Sequence, residues 1–164
     1  MYHKTIKCIV TCAAALLTTI FTPASAQCNC QTFTKEGNVV QQCTVLPVGG
    51  DKSLQIAIGI GKVAETEYIS LSIRFRYHAQ KVRGSITLTL TNGEIIELAL
   101  LNSGLAYIGN SEICQSTFLL DSADERMLKK SQIATVAFYL EDNLRLLLLV
   151  TKNKNVVQSQ LNCL

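Results

Sequence analysis

Arg74, Arg76 and His78 recur at every second position, and Lys81 and Arg83 follow shortly after. In an extended segment that alternation puts the first three on one face. Two more cations in the turn beyond would then converge on an anionic group, a carboxylate or a phosphate. The same spacing also suits a solvated outer strand, where charge discourages edge-to-edge pairing. His78 is the only histidine after residue 26, so a Ser/His/Asp or Cys/His catalytic group would have to use it. Three acidic pairs, Glu65 with Glu67, Glu94 with Glu97 and Glu141 with Asp142, fall at expected turns or strand ends, where solvated charge is the ordinary arrangement. Gly59-Ile60-Gly61 sits inside a strand pattern and lacks the third glycine and following helix of a phosphate-binding loop. No catalytic residue and no cofactor is therefore expected.

The cysteines depend on where the mature chain starts. Lys4 and Lys7 precede an apolar stretch from Cys8 to Phe21, and Pro23-Ala24-Ser25-Ala26 follows, the layout of a cleavable secretory leader. That stretch, broken by threonines, is short for a membrane span of roughly 20 apolar residues. We expect residues 1 to 26 to be removed, Gln27 to lead, and Cys28 to carry no lipid. Export to the periplasm, cell surface or medium would keep disulfides formed. Five cysteines then remain: Cys28, Cys30, Cys43, Cys114 and Cys163. Cys28 and Cys30 are too close to pair comfortably with each other. The expected bridges are Cys114 with Cys163, stabilising by on the order of 4 kcal/mol in the chain-entropy model, and one of Cys28 or Cys30 with Cys43. One thiol is left over. A metal site is not expected, since a lone histidine and no Cys-x-x-Cys unit make a poor ligand set.

Without the leader, 138 residues remain, with 13 basic and 12 acidic side chains. That is enough chain for one domain with a sizeable core, and too little excess charge to neutralise the phosphates of a nucleic acid.

The elements that must position these residues follow from periodicity. Residues 27 to 53 are polar and turn-rich, predicting a cysteine-tethered segment with at most one short strand near Val39 to Val45. Leu54, Ile56, Ile58 and Ile60 alternate with Gln55, Ala57, Gly59 and Gly61, a strand whose small-residue face implies a close neighbour. Ile69, Leu71, Ile73, Phe75 and Tyr77 alternate with Ser70, Ser72, Arg74, Arg76 and His78. Ile86 to Leu98 reads as a hairpin. A three-residue loop of Thr91, Asn92 and Gly93 pairs Leu88 with Ile96 and Ile86 with Leu98, keeping the apolar side chains together. A short piece from Leu105 to Ile108, flanked by turns, precedes a strand from Ile113 to Leu120. Ser122 to Glu125 resembles a capping box, predicting a helix over 123 to 131 with Ser122 as cap and Met127 and Leu128 as anchors. The runs Ile133 to Leu140 and Leu144 to Thr151 form a hairpin, the second run apolar enough for a central strand buried on both faces. Val157, Leu161 and Leu164 predict a short terminal helix. The fold class is mainly β, an antiparallel β-sandwich or open barrel with one short internal helix and a short C-terminal helix.

The leader, the strand-turn-strand of Ile86 to Leu98, the Ser122 to Lys130 cap and helix and the closing Cys163-Leu164 together resemble the small exported proteins of unknown function common in the Bacteroidota. The resemblance implies export and a β-rich fold and supplies no catalytic residue. The expected function is an exported, non-enzymatic binding or structural module of the cell envelope, meeting an envelope protein or an anionic ligand. The alternative is an inhibitor or immunity-type protein that blocks a partner enzyme through the Arg74 face.

Overall fold

The computed structural model describes residues 29–109 and 111–164. The leader expected over residues 1 to 26, and Cys28, lie outside them. In chain order the elements are β1 (Cys30–Lys35), β2 (Asn38–Cys43), β3 (Leu46–Gly50), β4 (Leu54–Val63), β5 (Thr66–Phe75), β6 (Val82–Leu90), β7 (Ile95–Leu98), β8 (Leu100–Ile108), β9 (Ser111–Leu120), α1 (Ser122–Lys130), β10 (Ile133–Leu140), β11 (Arg145–Leu149) and α2 (Val156–Leu161). They form two antiparallel sheets packed as a sandwich. The first runs β1-β2-β4-β5-β9-β8, with β3 also paired to β4, and the second runs β11-β10-β6-β7. Ile56, Ile58, Leu71 and Phe118 of the first sheet and Ile86, Leu88, Val136 and Phe138 of the second share one buried cluster. Each such side chain contributes roughly 1.5 to 3 kcal/mol when removed from water, so the alternation on these strands fixes which face turns inward.

The β6–β7 hairpin has the expected register, Leu88 opposite Ile96 and Ile86 opposite Leu98. Gly93 takes a φ of 89° at the left-handed position of the three-residue loop. Several expectations need correction. The N-terminal segment holds three strands. Glu36 and Gly37 both have positive φ and close a two-residue hairpin between β1 and β2. β1 shows little apolar alternation because most of it faces solvent. Asn102-Ser103-Gly104 lies within the long strand β8, carried past an irregularity between Leu100 and Asn102. β5 stops at Phe75, so Tyr77 lies beyond it and is exposed.

β11 is not central. It ends the second sheet, and Leu147 and Leu149 are 62% and 66% exposed. Its run of leucines reflects an outer face left open rather than two covered faces. The cap of α1 is Asp121, one residue earlier than expected, whose carboxylate accepts from the amides of Ala123 and Asp124. An aspartate one position upstream fits the first-turn amides as Ser122 would have. Leu128 is buried and Met127 packs against the core, as expected.

Of the two expected bridges, the one to Cys43 is present, with Cys30 as the partner, and the one between Cys114 and Cys163 is not. Cys30 and Cys43 are registered across the open end of the β1–β2 hairpin and form a disulfide. Cys114 is free and buried, and Cys163 is in a disulfide of its own. Geometry separates the two. The terminal helix packs on β4 at Ile60, which is aligned through Ile69 with Phe118, whereas Cys114 is aligned with Ile73. The four-residue offset is roughly 13 Å at about 3.3 Å per residue, and two strand spacings add to it, beyond the ~7 Å that a disulfide tolerates between Cα atoms.

One polar side chain joins helix to sheet. Between β2 and β3 the chain turns away from β4 and leaves an amide of β4 without a strand partner. Gln160 of α2 fills the gap, its Oε1 accepting from the Ile60 amide and its Nε2 donating to the Thr44 carbonyl, both at 2.8 Å. On the opposite side of β3, Gly49 bridges to Val150, and the Val48 carbonyl accepts from the amides of Thr151 and Lys152, joining the two sheets along that edge.

Candidate functional site

The outward face of β4 carries Gln55, Ala57, Gly59 and Gly61, and it sinks below its neighbours because three of these have little or no side chain. Register lines up Gly59 with Ser70 and Thr117, Ala57 with Ser72 and Gln115, and Gln55 with Arg74 and Ile113. Val45 lies over Gly59, and the ring of Tyr68 lies against Gly61. These are the close neighbours that the small residues imply. Burial raises the Tyr68 phenol above its usual range.

The β1–β2 hairpin, held by the Cys30–Cys43 disulfide, stands beside this face as a wall. Between wall and sheet is a groove of about 330 Å³, lined by Gln31 and Phe33 on β1, Gln42 on β2, Ser70 and Ser72 on β5 and Gln115 on β9. Phe33 is 42% exposed. None of the polar side chains just named hydrogen-bonds to another described residue. No ionisable side chain is among the described residues lining the groove. It therefore offers amide and hydroxyl donors and acceptors that no described residue occupies.

The groove continues along the sheet. Val45 and Ser72 also line a second hollow with Ala57 and Ile113, and Gln55 and Arg74 of that hollow line a third with Lys52 and Arg76. Adjoining in this way, the three hollows form a trough-like row that runs from neutral polar, through apolar, to cationic. Lys52 rides on a turn pinned by Asp51, whose carboxylate accepts from the Ser53 hydroxyl at 2.6 Å and from the amides of Ser53 and Leu54. Those bonds, the Ser53 hydroxyl first, hold the Asp51 carboxyl below its ordinary range. Arg76 also lies over the Tyr77 ring, 5.3 Å from its centroid. Among the described residues Lys52, Arg74 and Arg76 are in no ion pair.

The expected basic cluster is thus divided. Arg74 and Arg76 stay together and gain Lys52, which the strand alternation did not reveal because it lies on a turn across the β4–β5 pair. His78 lies in a separate hollow with Asp51 and Leu144, beyond the end of β5. Lys81 pairs with Glu141 at 4.0 Å, and Arg83 donates to the Asn143 Oδ1 at 2.7 Å, so both face the β10–β11 turn. The physical cause is the chain's passage from one sheet to the other between β5 and β6.

The carboxylate pairs have structural partners. Lys62 spans Glu65 and Glu67 at 3.7 and 3.9 Å, Glu97 accepts from Ser85, and Glu94 accepts from Asn92. Asp142 accepts from Gln80 and from the Leu144 amide. Burial, with the nearby Asp121 charge second, raises the Asp124 carboxyl on α1. The buried Cys114 thiol lies 3.4 Å from the Ser116 hydroxyl and 3.5 Å from that of Ser103. Among the described residues no group of three His, Cys, Asp or Glu side chains is placed to hold a metal ion, and no helix is long and apolar enough to cross a membrane. Comparison with protein-family models, with curated proteins and with solved structures finds no match for the chain.

Proposed function

We propose that the chain is an exported, non-enzymatic binding module that holds its ligand in the trough on the outer face of the first sheet. One observation carries this reading: six amide, hydroxyl and aromatic side chains from four strands converge on a groove, and none of the polar ones has a side-chain partner among the described residues. Surface polar groups with no ligand to meet have no reason to be gathered in a concavity, where part of their hydration is lost. Export is supported by the leader-like order of charge, apolar stretch and small residues in the sequence, and by the Cys30–Cys43 disulfide, which persists in oxidising surroundings. The resemblance to small exported Bacteroidota proteins points the same way.

Backbone amide shifts recorded while an envelope extract is titrated in, separated beforehand into protein, glycan and small-molecule fractions, test the reading. The expected result is movement at Ser70, Ser72, Gln115 and Thr117 with one fraction. Shifts confined to other surfaces, or none with any fraction, would falsify it. Stoichiometric capture of one enzyme through the Arg74 and Arg76 end, with loss of that enzyme's activity, would favour the inhibitor reading instead.

A further inference from the structure

The trough changes chemistry along its length, and that gradient describes a ligand. We infer that it takes one elongated molecule, an oligosaccharide ending in a carboxylate or phosphate, with the acidic group between Arg74 and Arg76 and the neutral sugars along Ser72 and Gln115. The inference rests on the binding-module reading above and names the class of ligand.

Continuity comes first. The first and second hollows share Val45 and Ser72, and the second and third share Gln55 and Arg74, so the three lie end to end along one face. From Ser70 to Arg76 the track is roughly 20 Å at about 3.3 Å per residue, which suits a chain molecule rather than a single small one. At the cationic end, Lys52, Arg74 and Arg76 are in no ion pair among the described residues, and the nearby Asp51 carboxylate is turned to Ser53 and the Leu54 amide. Arg forks match a carboxylate or phosphate with two bonds at once.

The neutral end separates a saccharide from a peptide. An extended peptide adds to a sheet through an open strand edge, by main-chain bonds. Here the floor strands β4, β5 and β9 have strand neighbours on both sides, and the ligand would lie across their faces. The free edges at the ends of this sheet belong, among the described strands, to β1, whose residues line the neutral hollow and neither of the two beyond it, and to β8, which reaches the trough only at Ile108, so a peptide strand added at either edge would leave most of the trough unmatched. A sugar carries its own hydroxyls, each both donor and acceptor, to match the amides of Gln31 and Gln115 and the hydroxyls of Ser70 and Ser72. Its flat C–H faces suit the half-exposed ring of Phe33 and the apolar stretch at Ala57 and Ile113.

Calorimetric titration of the full chain with a neutral glucose tetrasaccharide, the same chain ending in glucuronate, the same chain ending in phosphate, and a neutral tetrapeptide tests the inference. We expect at least one acidic-ended sugar to bind about tenfold or more tighter than the neutral one, as charge-assisted bonds imply, with the advantage shrinking as salt rises. Which acidic sugar binds better identifies the terminal group. Arg74→Gln should erase the advantage of the acidic sugars over the neutral one, whereas Gln115→Ala should weaken all three sugars by about fivefold and keep that advantage. Both positions are exposed, and an unchanged melting midpoint verifies that the variants fold. Equal binding of neutral and acidic sugars, preference for the peptide, or an acidic advantage that survives Arg74→Gln would each overturn the inference. If no sugar binds, the inference falls alone. The binding-module reading falls only if the extract titration also leaves the trough amides unmoved.

Discussion

The two sheets turn very different outer faces to solvent. On the second, polar groups are matched to each other: the Ser85 hydroxyl meets Glu97, and Arg83 meets Asn143. Around them lie Thr87, Thr89 and the open leucines of β11. On the first, strands break and bend, β4 is lined with glycine, a hairpin stands off as a wall, and the polar side chains between them have no side-chain partner among the described residues. The second sheet, bulged twice between β6 and β10, needs only its ladder and alternation to hold together. The first depends also on particular stitches, Gln160 and the Cys30–Cys43 bridge, and with them comes a concave surface.

The contrast is sharpest if the stitches are removed. Gln160→Leu keeps the volume of the side chain but orphans the Ile60 amide and the Thr44 carbonyl. At roughly 2 to 3 kcal/mol for the buried Ile60 amide and about 1 kcal/mol for the partly open Thr44 carbonyl, the loss should be about 3 to 4 kcal/mol in chemical denaturation. Amide exchange should place it locally, with Ile60 exposed early and Leu88 of the second sheet still protected. A loss below about 1 kcal/mol would mean that water replaces Gln160 at little cost.

Cys30→Ser is next. The bridge closes a loop with a sequence separation of 13, and the chain-entropy model gives about 3 kcal/mol for a loop of this size. Exchange at Thr32 and Gln41 should quicken while β6 and β10 hold. Equal loosening of both sheets would show that the hairpin is a member of the core and not a wall added to it.

A pH titration separates the faces more gently. The Tyr68 phenol is raised above 10.0 by burial against Gly61, so its neutral form is the one the fold prefers. Its contribution to stability is complete below about pH 10 and is lost as pH climbs through the folded value, because there the native state binds the proton that the unfolded chain has released. Stability measured across that window should fall less steeply in Tyr68→Phe. Identical slopes would remove Tyr68 from the account.

The smallest effect belongs to the second sheet. Leu147→Thr on β11 changes an exposed residue with no special contact, so stability should move by no more than about 0.5 kcal/mol. A larger loss, measured as a shift in denaturation midpoint, would mean that the open leucine face is covered in solution.

Where apolar alternation exists, the sequence is readable. Ile86, Leu88, Ile96 and Leu98 determine the register of β6 and β7, because a slip of one residue would turn the apolar set of one strand to water. β1 is hidden for the converse reason, since Gln31, Thr32 and Thr34 face solvent and carry no period; Glu36-Gly37 is its only local signal. β11 misleads because leucine content measures hydrophobicity, not coverage, and nothing in Leu146 to Leu149 says whether another strand lies beyond. Of the site, Arg74 and Arg76 and the small-residue face of β4 are legible. Lys52, Gln31 and Gln115 are not, because they join the trough only when distant strands are brought side by side. Gln160 falls inside a helical spacing that marks its apolar neighbours alone, and its bonds to Ile60 and Thr44 span 100 and 116 residues, beyond any local pattern.

The glycine floor also has an evolutionary consequence. A methyl group at Gly59 would come within 2.9 Å of the Val45 side chain and 3.1 Å of the Cys43 carbonyl, and one at Gly61 would run into the Tyr68 ring. A side chain at Gly59 would have to displace backbone as well as Val45, whereas at Gly61 the Tyr68 ring would have to swing aside, so the floor resists substitution most at Gly59. Gln31, Phe33, Ser70, Ser72 and Gln115 are under no such restraint, since the polar ones among them bond to no other described side chain. A lineage of such chains can alter what it grips by rewriting those wall positions one at a time, and stability and recognition are inherited on separate residues.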